Sequence, residues 1–432
     1  MLTAKTKKLT LGAASLALAA SMILTGCAAA SGGATTTTTT STSSSTAASS
    51  YSSDSDDAAT TSETISSVST AVESFLATLS DEQRETVLYA YDDETKTTSW
   101  SNFPATFVER AGLNLNDLTS EQRAAAMAVL EALLSDEAYE TITGIMGGDE
   151  YLLENSSSTE TSLGQYYIAF FGDPTSDDAF EVQFGGHHLG INATLEVTEN
   201  AITFAPTHLG VQPAVYTDSE GNEVQPFDGI YTDAFAFFDS LTDEQQATLT
   251  SGDVSMCAPG DTCDFSTGDG LTGADLTDEQ RELLLDLIAN WAGMADEETT
   301  ADALAKIEAT LEDTVIAWSG ETSYDMSTGD GISFSISGPN VYIAFQAQQG
   351  SAGADVDGVS TSGWGHVHTI YRDPSNDYAN SVTQQAASGM SGGPADGSSD
   401  GGFPGGDLPD GAAPGDGEMP TDAPADDATA TE

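Results

Sequence analysis

Basic residues are scarce in this 432-residue chain. Ten Lys and Arg stand against 69 Asp and Glu, which gives a formal net charge of −59 at pH 7. A polyanion of this kind repels nucleic-acid phosphates and anionic lipid headgroups, so the composition argues against a nucleic-acid-binding protein and against charge-driven membrane contact. The same charge favours solubility and attracts divalent cations weakly.

Long apolar runs are absent beyond the first 27 residues. The run Leu9 to Leu24 follows a lysine-rich start and is too short for a spanning helix, which is typical of a signal peptide. It ends in Leu24-Thr25-Gly26-Cys27, which resembles the bacterial lipobox. We therefore expect residues 1–27 to be a lipoprotein signal and Cys27 to carry the lipid that tethers an extracytoplasmic protein, at the cell surface or in the periplasm. The alternative is a plain signal peptide in which Cys27 is incidental.

Cysteine is also rare, with three in the chain. Apart from Cys27, the sequence contains Cys257 and Cys263, both in a polar loop. Outside the reducing cytoplasm this spacing predicts a local disulfide. A redox or metal role for the pair is less favoured, because the loop has no other soft ligands.

Familiar catalytic motifs are missing. The sequence has no Gly-x-Ser-x-Gly, no Walker loop, no dinucleotide-binding glycine pattern after a strand and no His-Glu-x-x-His. It also has no lone cysteine with a plausible base partner. No named class of hydrolase is supported, and whether the protein is an enzyme stays open.

Two low-complexity segments flank a central region. Residues 28–65 are mostly Ser, Thr, Ala and Gly, and residues 385–432 are mostly Gly, Pro, Ala, Asp and Glu. Neither can bury enough apolar surface to fold, so we predict a disordered stalk and a disordered acidic tail. Residues 66–384 are then expected to form the globular domain.

A helix-start motif recurs four times in that domain, beginning at Leu79, Leu118, Leu241 and Leu276. Each has Ser or Thr followed three residues later by Gln, the pattern of a capping box. The boxes form two pairs about 35–39 residues apart, which predicts an internal duplication of about 66–210 and 230–380. We therefore predict an α+β fold of two pseudo-duplicated halves, each with helices followed by a small antiparallel sheet.

Hydrophobic periodicity places the elements of each half. Helices are predicted at 124–146, 282–295 and 301–311. Strands are predicted at 166–171, 180–184, 189–197 and 201–205 in the first half, and at 314–318, 331–337, 340–346 and 366–371 in the second.

The five histidines lie near the ends of predicted strands: His187, His188, His208, His366 and His368. In a strand, His366 and His368 point to the same face, as two ligands of one ion must. His187 and His188 would point in opposite directions in a regular strand, so we expect one of them to join. Because the pairs occupy corresponding ends of the two halves, they are expected to converge on a shared cleft, with His208 as a further candidate.

Paired imidazoles near carboxylates suit Zn²⁺, Cu²⁺ or non-haem Fe, so the pattern predicts a transition-metal site. Two alternatives stay open. The histidines line a metal-free polar cleft, or they are structural and pair with acids such as Asp373 or Asp377.

Arg372 is another unusual residue in so acidic a chain. We expect its guanidinium to be held in a bidentate pair with a carboxylate. A clamp for an anionic ligand, through its carboxylate or phosphate, is the functional alternative.

Several of these stretches together resemble the bacterial domain-of-unknown-function 3500 family. The matching segments are 100–104, 110–113, 118–123, 167–174, 184–189 and 366–373. The similarity spans about 70–380 in order, with Tyr371 where the family pattern has Trp and the 257–263 loop as an insertion. The resemblance supports the extent of the domain and the grouping of the histidines, and it implies no particular reaction.

The functional prediction is a surface-tethered protein that binds a transition metal through its histidines. If it is an enzyme, metal-assisted hydrolysis or oxidation is the expected class. The rival is a metal-free module that captures a small ligand or an envelope protein in the cleft between the halves, with Arg372 as the clamp. A third interpretation is a structural lipoprotein whose stalk and tail carry the function.

Overall fold

A computed structural model of the protein describes residues 59–158, 160–176, 178–249, 254–259, 265, 270–349 and 354–383. The predicted signal peptide with Cys27, nearly all of the predicted stalk and the predicted tail lie outside these residues. Within them, no helix is long and apolar enough to cross a membrane. The described residues contain eight α-helices: α1 Thr61–Thr78, α2 Asp81–Val87, α3 Ser120–Leu133, α4 Asp136–Asn155, α5 Asp228–Ser240, α6 Asp243–Gln246, α7 Asp278–Ala292 and α8 Glu297–Glu308.

The described strands number fourteen, and twelve of them form one sheet. They are β1 Leu88–Tyr89, β2 Leu113–Asn114, β3 Tyr167–Phe171, β4 Phe180–Gly185, β5 Leu189–Glu196, β6 Ala201–Thr203, β7 Thr207–Val211, β8 Tyr216–Thr217, β9 Glu223–Val224, β10 Leu271–Thr272, β11 Val315–Gly320, β12 Ile332–Ser337, β13 Tyr342–Gln348 and β14 Gly363–Arg372. The order is β1-β3-β4-β5-β7-β14-β13-β12-β11-β10, with β2 on β3 and β6 on β5, while β8 and β9 pair separately. The sheet is mixed because β1 pairs parallel with β3.

The prediction of a separate small sheet in each half is wrong, because the two sets of strands are continuous. They join through antiparallel pairing of β7 with β14, from Thr207 opposite Tyr371 to Val211 opposite Val367. Strand β7 is absent from the predicted strands. Its pairing satisfies backbone groups that would otherwise be exposed at two sheet edges, which is a physical reason for the fusion.

The predicted helix at 124–146 is in fact two helices. The first ends at Leu133, and Ser135 caps the second, since its Oγ accepts a hydrogen bond from the Ala138 backbone N at 3.2 Å. Helix α1 begins at Thr61, inside the predicted stalk, behind a capping box formed by Thr60 and Glu63. Its buried residues Ile65, Val68, Val72 and Phe75 follow helical spacing and explain why this segment folds.

All four predicted capping boxes are confirmed, with N-caps Ser80, Thr119, Thr242 and Thr277. The two boxes of the first pair also contact each other. Gln122 Nε2 donates to Gln83 Oε1 at 3.0 Å and to the Thr78 carbonyl at 3.0 Å.

The second pair of boxes repeats this arrangement. Gln280 Nε2 donates to Gln245 Oε1 at 2.9 Å and to the Ser240 carbonyl at 2.8 Å. The boxes therefore cap their helices and also join helix α1 to α3 and α5 to α7.

One face of the sheet packs against the helices in the main hydrophobic core. On β14, Thr369 points to that face, because its Oγ1 accepts a hydrogen bond from Trp291 Nε1 of α7 at 2.8 Å. Side chains alternate along a strand, so His366, His368 and Ile370 point to the opposite face.

That opposite face, called here the polar face, carries several buried polar side chains. Lys96 Nζ lies 3.2 Å from Glu181 Oε2, and both side chains are fully buried. Beside them, Gln183 Nε2 donates to Asn192 Oδ1 at 2.7 Å. The segment before β2 covers this face, with Trp100 buried against Gly190 of β5.

Candidate metal centre

The five histidines lie together on the polar face. His208 belongs to β7, His366 and His368 belong to β14, and His187 and His188 occupy the bend between β4 and β5. Strand β7 pairs with both β5 and β14, and this central position brings the three segments together. His187, His188 and His368 each have one ring nitrogen that could bind an ion, and these three nitrogens all lie within 4.8 Å of one another. The predicted convergence of the histidines is therefore present.

Both His187 and His188 join the cluster, so the expectation that only one would do so is wrong. Their ring centroids are 4.1 Å apart and the rings are inclined by 21°. The strand alternation assumed from the sequence does not apply here, because the two residues lie in a bend and not in a regular strand.

Four of the histidines have one ring nitrogen in contact with a neighbour. His188 Nδ1 lies 2.5 Å from Asp149 Oδ1, and His208 Nδ1 lies 2.7 Å from the Thr369 carbonyl oxygen. His366 Nε2 and His368 Nε2 are 3.2 Å apart. Such contacts set the tautomer and orientation of the rings.

The opposite nitrogen of three of these rings has no such partner. His188 Nε2, His208 Nε2 and His368 Nδ1 are buried and form no hydrogen bond with any described residue, and the same is true of His187 Nδ1. An unpaired buried polar atom costs free energy, and so many close together call for an explanation. They are the atoms that a bound ion would satisfy.

Burial also determines the protonation of the cluster. It lowers the pKa of His208 to about 3, against a partly opposing effect of the Thr369 carbonyl. Burial, followed by the charges of neighbouring histidines, holds the pKa values of His187 and His368 well below 6.5. These rings are therefore neutral at neutral pH, the form in which imidazole binds metals.

Asp149 is the acidic partner of the cluster, and sequence reasoning missed it. It is 1% exposed, and its Oδ2 accepts a hydrogen bond from the Tyr166 hydroxyl at 2.7 Å. The alternative pairing with Asp373 or Asp377 does not occur among the described contacts. The predicted helix stopped at residue 146, whereas α4 continues to Asn155 and carries Asp149 to His188.

Small residues in α4 gave a signal that could have located this approach. A Cβ on Gly147 would lie 2.3 Å from the Tyr216 hydroxyl, so a larger residue would push the helix away. A helix that continues through Gly147 and Gly148 into a buried acid indicates close contact with another element.

Arg110 is the second functional residue that was missed, and it anchors the loop that carries His187 and His188. Its Nη2 lies 2.6 Å and its Nε 3.1 Å from the Gly186 carbonyl oxygen. It donates further hydrogen bonds to the carbonyls of Ser101, Phe103 and Val108. The guanidinium therefore fixes the peptide immediately before His187.

Arg372 forms the predicted ion pair. Its Nη2 and Nε lie 2.7 and 2.9 Å from Asp377 Oδ2, and the residue is 2% exposed. Its guanidinium also donates to the Cys257 carbonyl. The role of an anion clamp stays a prediction, although Asp377 already occupies this guanidinium.

The cysteine predictions are only partly within the described residues. Cys257 is disulfide-bonded, and its predicted partner Cys263 lies outside the described residues. The pairing of the two therefore stays a prediction, as does lipid attachment to Cys27.

Comparison with known proteins identifies the family of the chain. No curated protein and no solved structure matches the chain. A family model described as "Protein of unknown function (DUF3500)" matches residues 61–380, a range that includes all five histidines, Asp149 and Arg110. The chain therefore belongs to the DUF3500 family.

Proposed function

We propose that the protein binds a transition-metal ion through His187, His188 and His368. The observation that carries the proposal is the group of buried ring nitrogens without hydrogen-bond partners, gathered on one face of the sheet. A metal ion satisfies several such lone pairs at once, which a single hydrogen-bond donor does not.

The spacing of the ligand atoms supports this function. Bonds of about 2.0–2.1 Å to imidazole place tetrahedral ligand atoms roughly 3.3 Å apart. The three histidines already lie within 4.8 Å of one another, so small rotations of the rings suffice. Asp149 supports His188, and His366 supports His368, as the outer partners of metal-bound histidines usually do.

The chemistry of the ligands narrows the choice of ion. Imidazole nitrogens suit Zn²⁺, Cu²⁺ and Fe, whereas Ca²⁺ and Mg²⁺ prefer oxygen ligands. If the protein is an enzyme, a metal-assisted hydrolase or oxidoreductase fits this centre best.

The rival function, a metal-free ligand-binding module, has less support. It relies on Arg372 as an anion clamp, but this side chain is buried and paired with Asp377. A ligand would have to displace Asp377, whose carboxylate would then lose its ion pair with the guanidinium.

We further propose that the chain is an exported lipoprotein, on the support of the Leu24-Thr25-Gly26-Cys27 motif. The internal duplication is likewise a proposal. It is supported by the two matching glutamine networks and by the strand pairing, since β2 pairs with the first strand of β3-β4-β5-β7 as β10 pairs with the first strand of β11-β12-β13-β14.

Elemental analysis tests the metal proposal. The full chain with Cys27→Ser, which prevents lipid attachment, is purified without chelator or polyhistidine tag and exposed to each candidate ion. We expect about one equivalent of Zn, Cu or Fe, and loss of that ion in His187→Ala and in His368→Ala. His187 is partly exposed, so its variant should stay folded, as near-UV circular dichroism will check. Absence of metal from the unmutated centre after reconstitution would rule the proposal out.

A further inference from the structure

The charge around the centre is unusual, and the inference drawn from it rests on the proposed function. Among the described residues, the group able to hold an ion consists of histidines. The carboxylate in contact with them, Asp149, is already bonded to His188 and to the Tyr166 hydroxyl. Neutral imidazole ligands carry no charge of their own, so Asp149, through His188, is the carboxylate in contact with the cluster that offsets the charge of a divalent ion.

Arg110 adds a second positive charge beside the loop. Lys96, Arg281, Lys306 and Arg372 each have a carboxylate partner. Arg110 is 7% exposed, and among the described residues its guanidinium donates to backbone carbonyls. Burial lowers the pKa of Arg110 to about 10, so it remains protonated at neutral pH.

Arg110 lies directly beside the cluster. Its Nη2 lies 2.6 Å from the carbonyl oxygen of Gly186, the residue immediately before His187. A buried cation without a counter-charge is stabilised by an anion placed nearby.

One side of the cluster is less buried than the other. His188 and His368 are 0% and 3% exposed, whereas His187 and His366 are partly exposed. A ligand from solution would therefore approach between His187 and His366. Three protein ligands with a fourth position left open is the arrangement that zinc enzymes use to admit water or substrate.

We propose that the ion in this centre binds a small anion from solution, of the carboxylate class, at an open position on the side of His187 and His366, and that the charge of Arg110 strengthens this binding. The negative charge of the anion offsets the positive charges of both the ion and the guanidinium. This identifies a small anionic molecule as the class of ligand or substrate for the site.

The test uses Co²⁺, whose visible spectrum reports its ligands, bound to the full Cys27→Ser chain. Azide and acetate are titrated in while perchlorate, a weakly coordinating anion, keeps the ionic strength constant. We expect a saturable change in the visible spectrum with each of the two anions. Stoichiometric Co²⁺ with no spectral change would overturn the anion site and leave the metal site intact. Failure to bind Co²⁺, Zn²⁺, Cu²⁺ or Fe would instead overturn the proposed function.

Two variants separate the charge of Arg110 from its hydrogen bonds. Arg110→Lys and Arg110→Gln both lose the forked contact with Gly186, but only Arg110→Gln loses the charge. Azide affinity should be lower in Arg110→Gln than in Arg110→Lys by on the order of tenfold. Equal affinities would show that the charge is not involved.

A third variant covers the case in which these two do not fold. Phe103 is partly buried, and its carbonyl accepts a hydrogen bond from Arg110 Nη2 at 2.6 Å. Phe103→Glu leaves that carbonyl in place and adds a carboxylate to the residue whose backbone contacts the guanidinium. It should weaken azide binding by a similar factor, and Phe103→Gln is its neutral control. Equal azide affinity in these two would contradict the role of Arg110.

Discussion

Replacing Asp149 by Asn tests how far the orientation of His188 matters for the proposed ion. Asn has the same shape, so its oxygen can still face His188 Nδ1 while its amide faces the Tyr166 hydroxyl. What is lost is the negative charge 2.5 Å from the ring. Removal of such an outer carboxylate typically lowers metal affinity 10–100-fold, which is about 1.4–2.7 kcal/mol.

The assay is competition for Zn²⁺ between the protein and a metal-binding dye at pH 7. The matched control is Asp373→Asn, which removes another buried carboxylate, one that binds Lys306 at 2.7 Å. Asp373 lies five residues beyond His368, roughly 16 Å along an extended chain, and should not affect the affinity.

An unchanged Zn²⁺ affinity in a folded Asp149→Asn protein would refute this reasoning. It would mean that His188 is either not a ligand or is held in place by its surroundings without the carboxylate. Equal losses in Asp149→Asn and Asp373→Asn would point to a general loss of stability, which urea unfolding of both variants would reveal.

Three further predictions follow from other contacts. His366→Ala should lower Zn²⁺ affinity about 10–100-fold while His368→Ala abolishes binding, because His366 supports the ring that holds the ion; equal effects in dye competition would instead make His366 a direct ligand. In the metal-free protein, stability should fall as the pH drops from 6.5 towards 3, because the unfolded chain protonates His208 and the folded chain does not. By pH 5 this single group should lower the free energy of unfolding by about 2 kcal/mol. A His208→Asn variant whose free energy of unfolding in urea falls with pH as steeply as that of the unmutated protein would contradict this prediction. Lys96→Met should lower the free energy of unfolding by about 3–5 kcal/mol, because it leaves the buried Glu181 carboxylate without its ion pair. In urea unfolding, the double variant with Glu181→Gln should recover much of that loss. A double variant no more stable than the single one would show that the buried charge is not the cause.

Local signals in the sequence predicted much of the fold. The capping boxes depend on residues three positions apart, so the four helix starts could be read directly from the sequence. The strand predictions also fall on observed strands, with ends that differ by at most three residues, because alternating burial is a local pattern. The ends of helices were harder, as the predicted helix at 124–146 shows.

The missed features depend on contacts between distant parts of the chain. Asp149 precedes His188 by 39 residues, and Arg110 precedes Gly186 by 76. Nothing in the local pattern of either segment indicates its partner. Strand β7 was missed because its five residues include His208 and Gly210, which weaken the apolar pattern, while its partners lie on two different strands.

The position of the centre follows from the way the two sets of strands join. Each set alone would end in an exposed strand, β7 in the first and β14 in the second. Pairing of β7 with β14 removes both edges. It also brings His368 of the second set to His187 and His188 of the first, so neither set alone contains all three residues. A ligand that binds only this joined state stabilises it by mass action. The proposed ion would therefore hold the two sets together as well as provide the chemistry of the site. The first set supplies His187, His188 and His208 and the second supplies His366 and His368, so the cluster is complete only where the two sets join.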